Sequence, residues 1–457
     1  MELSNNTISK VIIECLTNES LFKLVKNNID GFNKFSRAHI DLPMFSGLID
    51  YIGRVEFKDF NSIDLNAELR SIGIAEGALS EFLSSIDYLR EINSDKPIQP
   101  KTVSILKSIF YSGQYEEVKG KTYEEIFEYC KSIDWVSDLI DPRFKIEDIT
   151  ASFDVDEISA MLSPENSIKS SMKYINDSSP NKGYFPNELV TISAAPGTGK
   201  TQFLFTEALE FIRQGKRVLY IALGDMVNYF ITIRLMCMHL RISPNEAYMD
   251  LKEYLNKFRT NEVIKDNFKF VCLESGKFTH KEVFNFLSVI SSEFDVFMVD
   301  YDGNFAPESE NMYKEGGGAY DSAINVCRVF NKLGFIASQP KIAFWASESL
   351  GKECLAESSR KQQITDTIVT FGVHQGVPNR CGFTQIVKGR NRDLVFRVPW
   401  AAADSGQIVQ IDNDMYGELL ASNDKMHLLL NEVGSIDLPD AYLDSKQDAD
   451  DTRSVEG

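Results

Sequence analysis

Leu189-Val190-Thr191-Ile192-Ser193-Ala194-Ala195-Pro196-Gly197-Thr198-Gly199-Lys200-Thr201 is the stretch whose reading decides the fold. Leu189–Ser193 is a short apolar run, the pattern of a strand buried on both faces of a parallel sheet. The residues that follow form a glycine-rich turn that opens a helix. Glycines there let backbone N–H groups turn inward on a phosphate, and the helix start adds partial positive charge. Lys200 supplies a point charge for the β- and γ-phosphates, and the Thr201 hydroxyl suits Mg²⁺. Ala195, Pro196, Gly197, Thr198, Gly199, Lys200 and Thr201 are therefore the candidate nucleotide contacts, with ATP and Mg²⁺ as the expected cofactors.

Outward from this loop, apolar runs at Val218–Leu223, Phe268–Cys272, Val296–Val299 and Ile342–Trp345 alternate with helical segments such as Thr201–Gln214 and Lys281–Ser291. That alternation predicts an α/β domain, a mostly parallel sheet with helices on both faces. The runs Ile368–Val373, Phe383–Val387 and Leu394–Val398 follow closely on one another and predict antiparallel strands at one sheet edge. Residues 1–140 read as an all-α domain. Apolar residues recur at helical spacing in Val11, Ile12, Cys15, Leu16 and again in Leu69, Ile72, Leu79, Phe82, Leu83. Ser104 reads as a helix start, and Thr122 with Glu125 makes a capping-box pattern. Residues 141–170 read as a linker, 171–432 as the α/β domain and 433–457 as an acidic tail.

Phe294-Asp295-Val296-Phe297-Met298-Val299-Asp300 is a strand ending in an acid, and Asp300 is the candidate second Mg²⁺ ligand, held beside the phosphate-loop strand. Asp302 is a weaker candidate for that task. Ala323, Val326, Cys327, Phe330 and Leu333 form a helical stripe that Gln339-Pro340 breaks. This periodicity argues against Ser338-Gln339 as a nucleotide sensor at a strand end, and moves the sensor past Ile342–Trp345, to Glu348 or Ser349.

Gly183-Tyr184-Phe185-Pro186-Asn187-Glu188 leading into the loop Ala194–Thr201, with Val299-Asp300-Tyr301 downstream, resembles the ATPase core of DnaB-like replicative helicases of the T-even phage type. The resemblance runs from Gly183 to about Val409. It implies a RecA-like fold, a homo-hexamer with ATP sites between subunits, and 5′→3′ movement on single-stranded DNA at a replication fork. It also implies primase, helicase-loader and single-strand-binding partners. In that family a carboxylate at the second strand's end activates water; here Asp225 holds the place, shorter than the family's Glu and preceded by Gly224. Lys388-Gly389-Arg390-Asn391-Arg392 is similar to the family's finger motif, making Lys388 and Arg390 catalytic candidates in trans; Arg392 departs from the Gly often found there. Lys352, Arg360 and Lys361 lie in the loop that faces DNA in such rings, and the glycines of Glu315-Gly316-Gly317-Gly318-Ala319 are a second candidate for strand contact. A recombination ATPase of the RecA/RadA type and a non-unwinding ring ATPase with a regulatory task are the alternatives.

Composition sets the bounds. At 457 residues, 43% hydrophobic and 25% charged, the chain has room for two or three ordinary globular domains. Its seven cysteines form no Cys-x-x-Cys pair, which argues against a zinc ribbon or disulfide scaffold. Nothing resembles a secretion signal or a membrane span, so the expectation is a cytosolic protein without membrane contact. The net charge of −19 disfavours a protein that coats nucleic acid, although part of it lies in the tail.

Overall fold

The structure, a computed structural model, describes residues 11, 13–38, 43–74, 86, 90, 100–130, 159, 163–224, 228–307, 312–355 and 359–422. Its centre is one nine-stranded sheet: β1 (Leu189–Ala194), β2 (Val218–Leu223), β3 (Phe268–Leu273), β4 (Val296–Asp300), β5 (Leu333–Ser338), β6 (Thr367–Phe371), β7 (Cys381–Gly389), β8 (Val395–Ala402) and β9 (Ile408–Gln410). The order is β3-β2-β4-β5-β1-β6-β7-β8-β9, with β1 to β6 mutually parallel and β7 to β9 antiparallel. This is a RecA-like α/β arrangement. Every residue of β1, β2, β4 and β5 is buried, as apolar runs in a sheet covered on both faces must be.

One predicted strand is displaced. Ile342–Phe344 is a 3₁₀ turn, and Ile342 is 76% exposed. The strand is instead Leu333–Ser338. The helical stripe stops at Phe330 because Asn331 takes a left-handed φ of +53°, a common way to end a helix. Leu333 extends the spacing by coincidence. It is the first residue of β5. A second correction follows: β4 does not lie beside β1, because β5 pairs with both.

The amino-terminal region is helical, in Glu19–Asn27, Ile29–Ala38, Pro43–Arg54, Ser62–Ser71, Pro100–Val118 and Tyr123–Cys130. Thr122 and Glu125 do form a capping box: each backbone N–H donates to the other's side chain, at 2.8 and 3.3 Å. Ser104 instead lies inside a helix that starts at Pro100. The last two helices dock on helices His280–Val289 and Met312–Phe330 of the sheet domain. Phe127 stacks on Phe286 at 4.0 Å and 15°, and Asn285 Nδ2 donates to the Cys130 carbonyl at 3.1 Å. The two cores are therefore continuous along this face.

Ahead of β1, Ile168 bridges Tyr184, Lys169 N–H donates to Gln214 Oε1 at 2.8 Å, and Ser171 N–H donates to Glu207 Oε1 at 3.0 Å. Most of the expected linker (residues 141–158 and 160–162) and the acidic tail lie outside the described residues. Among the described residues no helix is long and apolar enough to cross a membrane, and all seven cysteines are free.

Candidate nucleotide site

Because β1, β2, β4, β5 and β6 are parallel, their carboxyl ends share one edge, where open α/β sheets bind ligands. The loop Ala195–Gly199 leaves β1 there and leads into helix Lys200–Arg213. Gly197 and Gly199 have φ of +77° and +119°, conformations an L side chain rarely takes, which is why this turn needs glycines. Ala195 and Thr198 are buried, Pro196 and Gly197 exposed. The Thr198 hydroxyl is buried without a partner.

Thr201 Oγ1 donates to Asp300 Oδ2 at 2.5 Å, and Tyr220 Oη donates to the same oxygen at 2.6 Å. The two expected Mg²⁺ ligands, from the ends of different elements, thus converge. Lys200 differs from expectation. Its side chain is folded into the loop rather than extended into solvent, donating to the carbonyls of Ala194 at 2.6 Å and Ala195 at 3.3 Å. Burial pulls its ammonium down to about 8, against the opposing pull of Asp300 and Asp302.

Ser338, the end residue of β5, is the correction to the sensor. Its hydroxyl donates to Asp302 Oδ2 at 2.9 Å, so Ser338-Gln339 stands between the loop strand and the Asp300 strand. Glu348 belongs elsewhere: its carboxylate lies 2.5 Å from His374 Nδ1, and its carbonyl lies against Gly372, beyond the end of β6. Ser349 Oγ accepts from Gln385 Nε2 of β7 at 2.8 Å. Neither residue joins the Thr201–Asp300 pair. Asp225 lies outside the described residues.

Asp302 Oδ2 also accepts from Tyr320 Oη at 3.0 Å and pairs with Lys361 Nζ at 2.8 Å. The expectation that Lys361 meets DNA phosphates fails here; it is 2% exposed and belongs to this cluster instead. A buried ammonium persists only when paired, and Asp302 is the partner. Arg360 is exposed but held by Asp321 at 2.7 Å, and Lys352 is exposed. The glycine run is no strand-contacting loop either. It lies in helix Met312–Phe330, where a Cβ on Gly317 would strike Arg360 and one on Gly318 would come within 2.7 Å of the His280 ring. These glycines allow close helix packing.

The Lys388–Arg392 turn is at the opposite edge of the sheet. Gly389 pairs with Thr367 at the start of β6, while the loop leaves the end of β1. Six strand residues at about 3.3 Å each separate the edges by roughly 17 Å. Lys388 Nζ donates to the carbonyls of Gln362, Gln363 (3.1 Å) and Thr365 (2.5 Å), so all three of its protons are used. Lys388 is thus a helix-end cap here, not a reaching finger. Arg390 pairs with Asp366 at 2.7 Å and stays 44% exposed. Arg392 is fully buried, donating to both oxygens of Glu188 at 3.0 and 2.8 Å and to the Gly183 and Ile175 carbonyls. A latch on the segment before β1 accounts for an arginine at the place where the helicases often have glycine.

Arg380 carries no signal in the sequence. It precedes β7 at the carboxyl edge, where Nη2 donates to the Gly197 carbonyl and Nη1 to Gln202 Oε1. No local pattern marks it; only the β6–β7 pairing brings it there.

No protein-family model and no curated protein matches the sequence. Among solved structures the chain is similar to a DnaB-like replicative helicase, described with its interactions with primase: 15% identity over 83% of this chain and 88% of that one, TM-score 0.49. It is also similar to the separately solved ATPase domain of a helicase, at 16% identity over 56% of this chain and 95% of that one, TM-score 0.47. By its own strand order and phosphate loop, the chain has a RecA-like P-loop fold with a helical amino-terminal region.

Proposed function

We propose that the protein is an ATP-driven, ring-forming replicative DNA helicase that moves 5′→3′ on single-stranded DNA. The observation that carries this reading is the separation of parts: the Lys200–Thr201–Asp300 cluster at one sheet edge, and exposed Arg390 at the other. An arginine roughly 17 Å from its own loop serves hydrolysis only in another copy's site. A closed ring of copies supplies that partner at every interface. The DNA substrate and the polarity rest on the sequence resemblance from Gly183 to Val409.

The residues present fit a nucleoside triphosphate with Mg²⁺. Thr201 and Asp300 offer two oxygens, so phosphates and water complete the shell, as is usual for this ion. When bound, Mg²⁺ neutralises charge on the β- and γ-phosphates. Lys200 moves from two carbonyls to phosphate, a better acceptor for an ammonium. Ser338 and Lys361 both hold Asp302, two residues beyond Asp300, and so position the end of β4. Asp225 is proposed as the base that activates water.

Primase, a loader and a single-strand-binding protein are proposed partners. A non-unwinding ring ATPase is the second reading, favoured by one observation: with Lys361 buried, Lys352 and Asp321-paired Arg360 are what remain of the basic loop. Forked duplexes with a 5′ or a 3′ single-stranded tail separate the readings. The helicase unwinds the 5′-tailed fork in the presence of ATP and Mg²⁺. ATP hydrolysis by closed rings without unwinding of either fork overturns it in favour of the second.

A further inference from the structure

The phosphate loop is braced by a cation that the reading above does not use. Arg380, immediately before β7, donates from Nη2 to the Gly197 carbonyl at the loop's exposed apex and from Nη1 to Gln202 Oε1 on the loop's own helix. Gly197 O and the Thr198 N–H share one rigid peptide plane, and that N–H donates to the Ala195 carbonyl at 3.2 Å. The apex is therefore held from both sides. A Cβ on Gly199 would come within 3.2 Å of Nη2, so the guanidinium lies against the loop rather than near it.

Both acceptors of Arg380 are neutral, and among the described residues no carboxylate is ion-paired with it. The neighbouring charge it feels is another cation, Arg234 of helix Asn228–Leu240; burial first, and that repulsion second, lower its pKa. A half-desolvated guanidinium without a counter-ion costs free energy that an incoming anion repays. It sits where the loop presents its glycines, at the same sheet edge as Lys200 and Thr201.

We propose that Arg380 is a nucleotide-positioning residue acting within its own subunit, bracing the apex of the phosphate loop and supplying the charge that an anionic polyphosphate neutralises. This deepens the ATPase reading and rests on it. Arg390 of a neighbouring copy would meet the same nucleotide from the other side, so the two arginines have distinct tasks: Arg380 governs affinity, Arg390 governs turnover.

The test is direct binding of ATP, ADP and adenosine to the full chain, with Lys200→Ala as the control. Arg380→Gln, which can still donate a hydrogen bond but carries no charge, is expected to raise the Kd of ATP about tenfold or more. The Kd of ADP rises less, that of adenosine stays unchanged, and the salt dependence of ATP binding flattens. Arg380→Lys is expected to keep ATP affinity within about threefold of the parent. If the Gln variant fails to fold, Arg380→Met is the neutral substitute with the same expectation. A neutral variant that binds ATP within twofold of the parent, or a Lys variant as weak as the neutral one, overturns the proposal. A parent protein that binds no ATP, or a Lys200→Ala variant that binds as well as the parent, overturns the ATPase reading itself.

Discussion

The two edges of one sheet are built from the same residue types and are used differently. At the amino edge every strong donor is matched: Arg392 with both oxygens of Glu188, Lys388 with three carbonyls, Arg390 with Asp366. At the carboxyl edge the matching is partial. Lys200 and Arg380 are held by neutral carbonyl and amide oxygens, and the Thr198 hydroxyl has no partner. The first edge is finished without a ligand; the second has capacity left for an anion. Basic residue types alone do not mark a binding site. What marks it is cations whose partners carry no charge.

If the amino edge is structural, its largest effect is on stability. Arg392→Ala leaves Glu188 buried and unpaired, and removing one partner of a buried pair costs about 3–5 kcal/mol. Urea unfolding followed by circular dichroism measures it; a loss under about 1 kcal/mol would show that the latch is dispensable. If the carboxyl edge is functional, Lys200→Ala lowers ATP turnover roughly 10²- to 10³-fold while the fold persists. A folded variant that keeps its turnover would break the comparison at its stronger end.

Titration sharpens the contrast further. With burial holding the Lys200 ammonium at about 8, the charged form that attracts phosphate is present below that pH and lost above it. ATP affinity of the free protein should therefore fall as pH rises from about 7 to about 9, by up to about tenfold per unit. Isothermal calorimetry across that range checks it, and a flat profile places the Lys200 titration above the range. The smallest effect belongs to the exposed pair Lys352 and Arg360. Neutralising both should flatten the salt dependence of single-strand binding by about 0.7 per lost phosphate contact. An unchanged slope puts the DNA path elsewhere.

Much of this was legible because it is local. A buried parallel strand announces itself as an apolar run, so β1 and β2 were readable almost residue by residue, and strand, glycine turn and Lys-Thr in succession located the loop. β5 was hidden by a spacing accident, since Leu333 continued the stripe of the preceding helix past Asn331. That one slip also misplaced the sensor, exchanging Ser338-Gln339 for Glu348. Lys361 was misread for a different reason: a sequence does not show that a lysine in a polar segment folds back on Asp302 and disappears from the surface. Arg380 and Arg392 were illegible for the same cause. Their partners are about 180 and 200 residues away, joined only through the sheet.

The account's central claim is that the two edges complete one another across subunits. The most direct measurement mixes Lys200→Ala subunits with Arg390→Ala subunits, each nearly inactive alone, after co-assembly has been verified by differently tagged copies. Loss of an arginine finger lowers turnover about 10³-fold or more, so each pure variant gives a low baseline. The account predicts that the mixture regains ATPase activity well above either, because some interfaces join an intact loop to an intact Arg390. A mixture that co-assembles and remains as inactive as its components would contradict it.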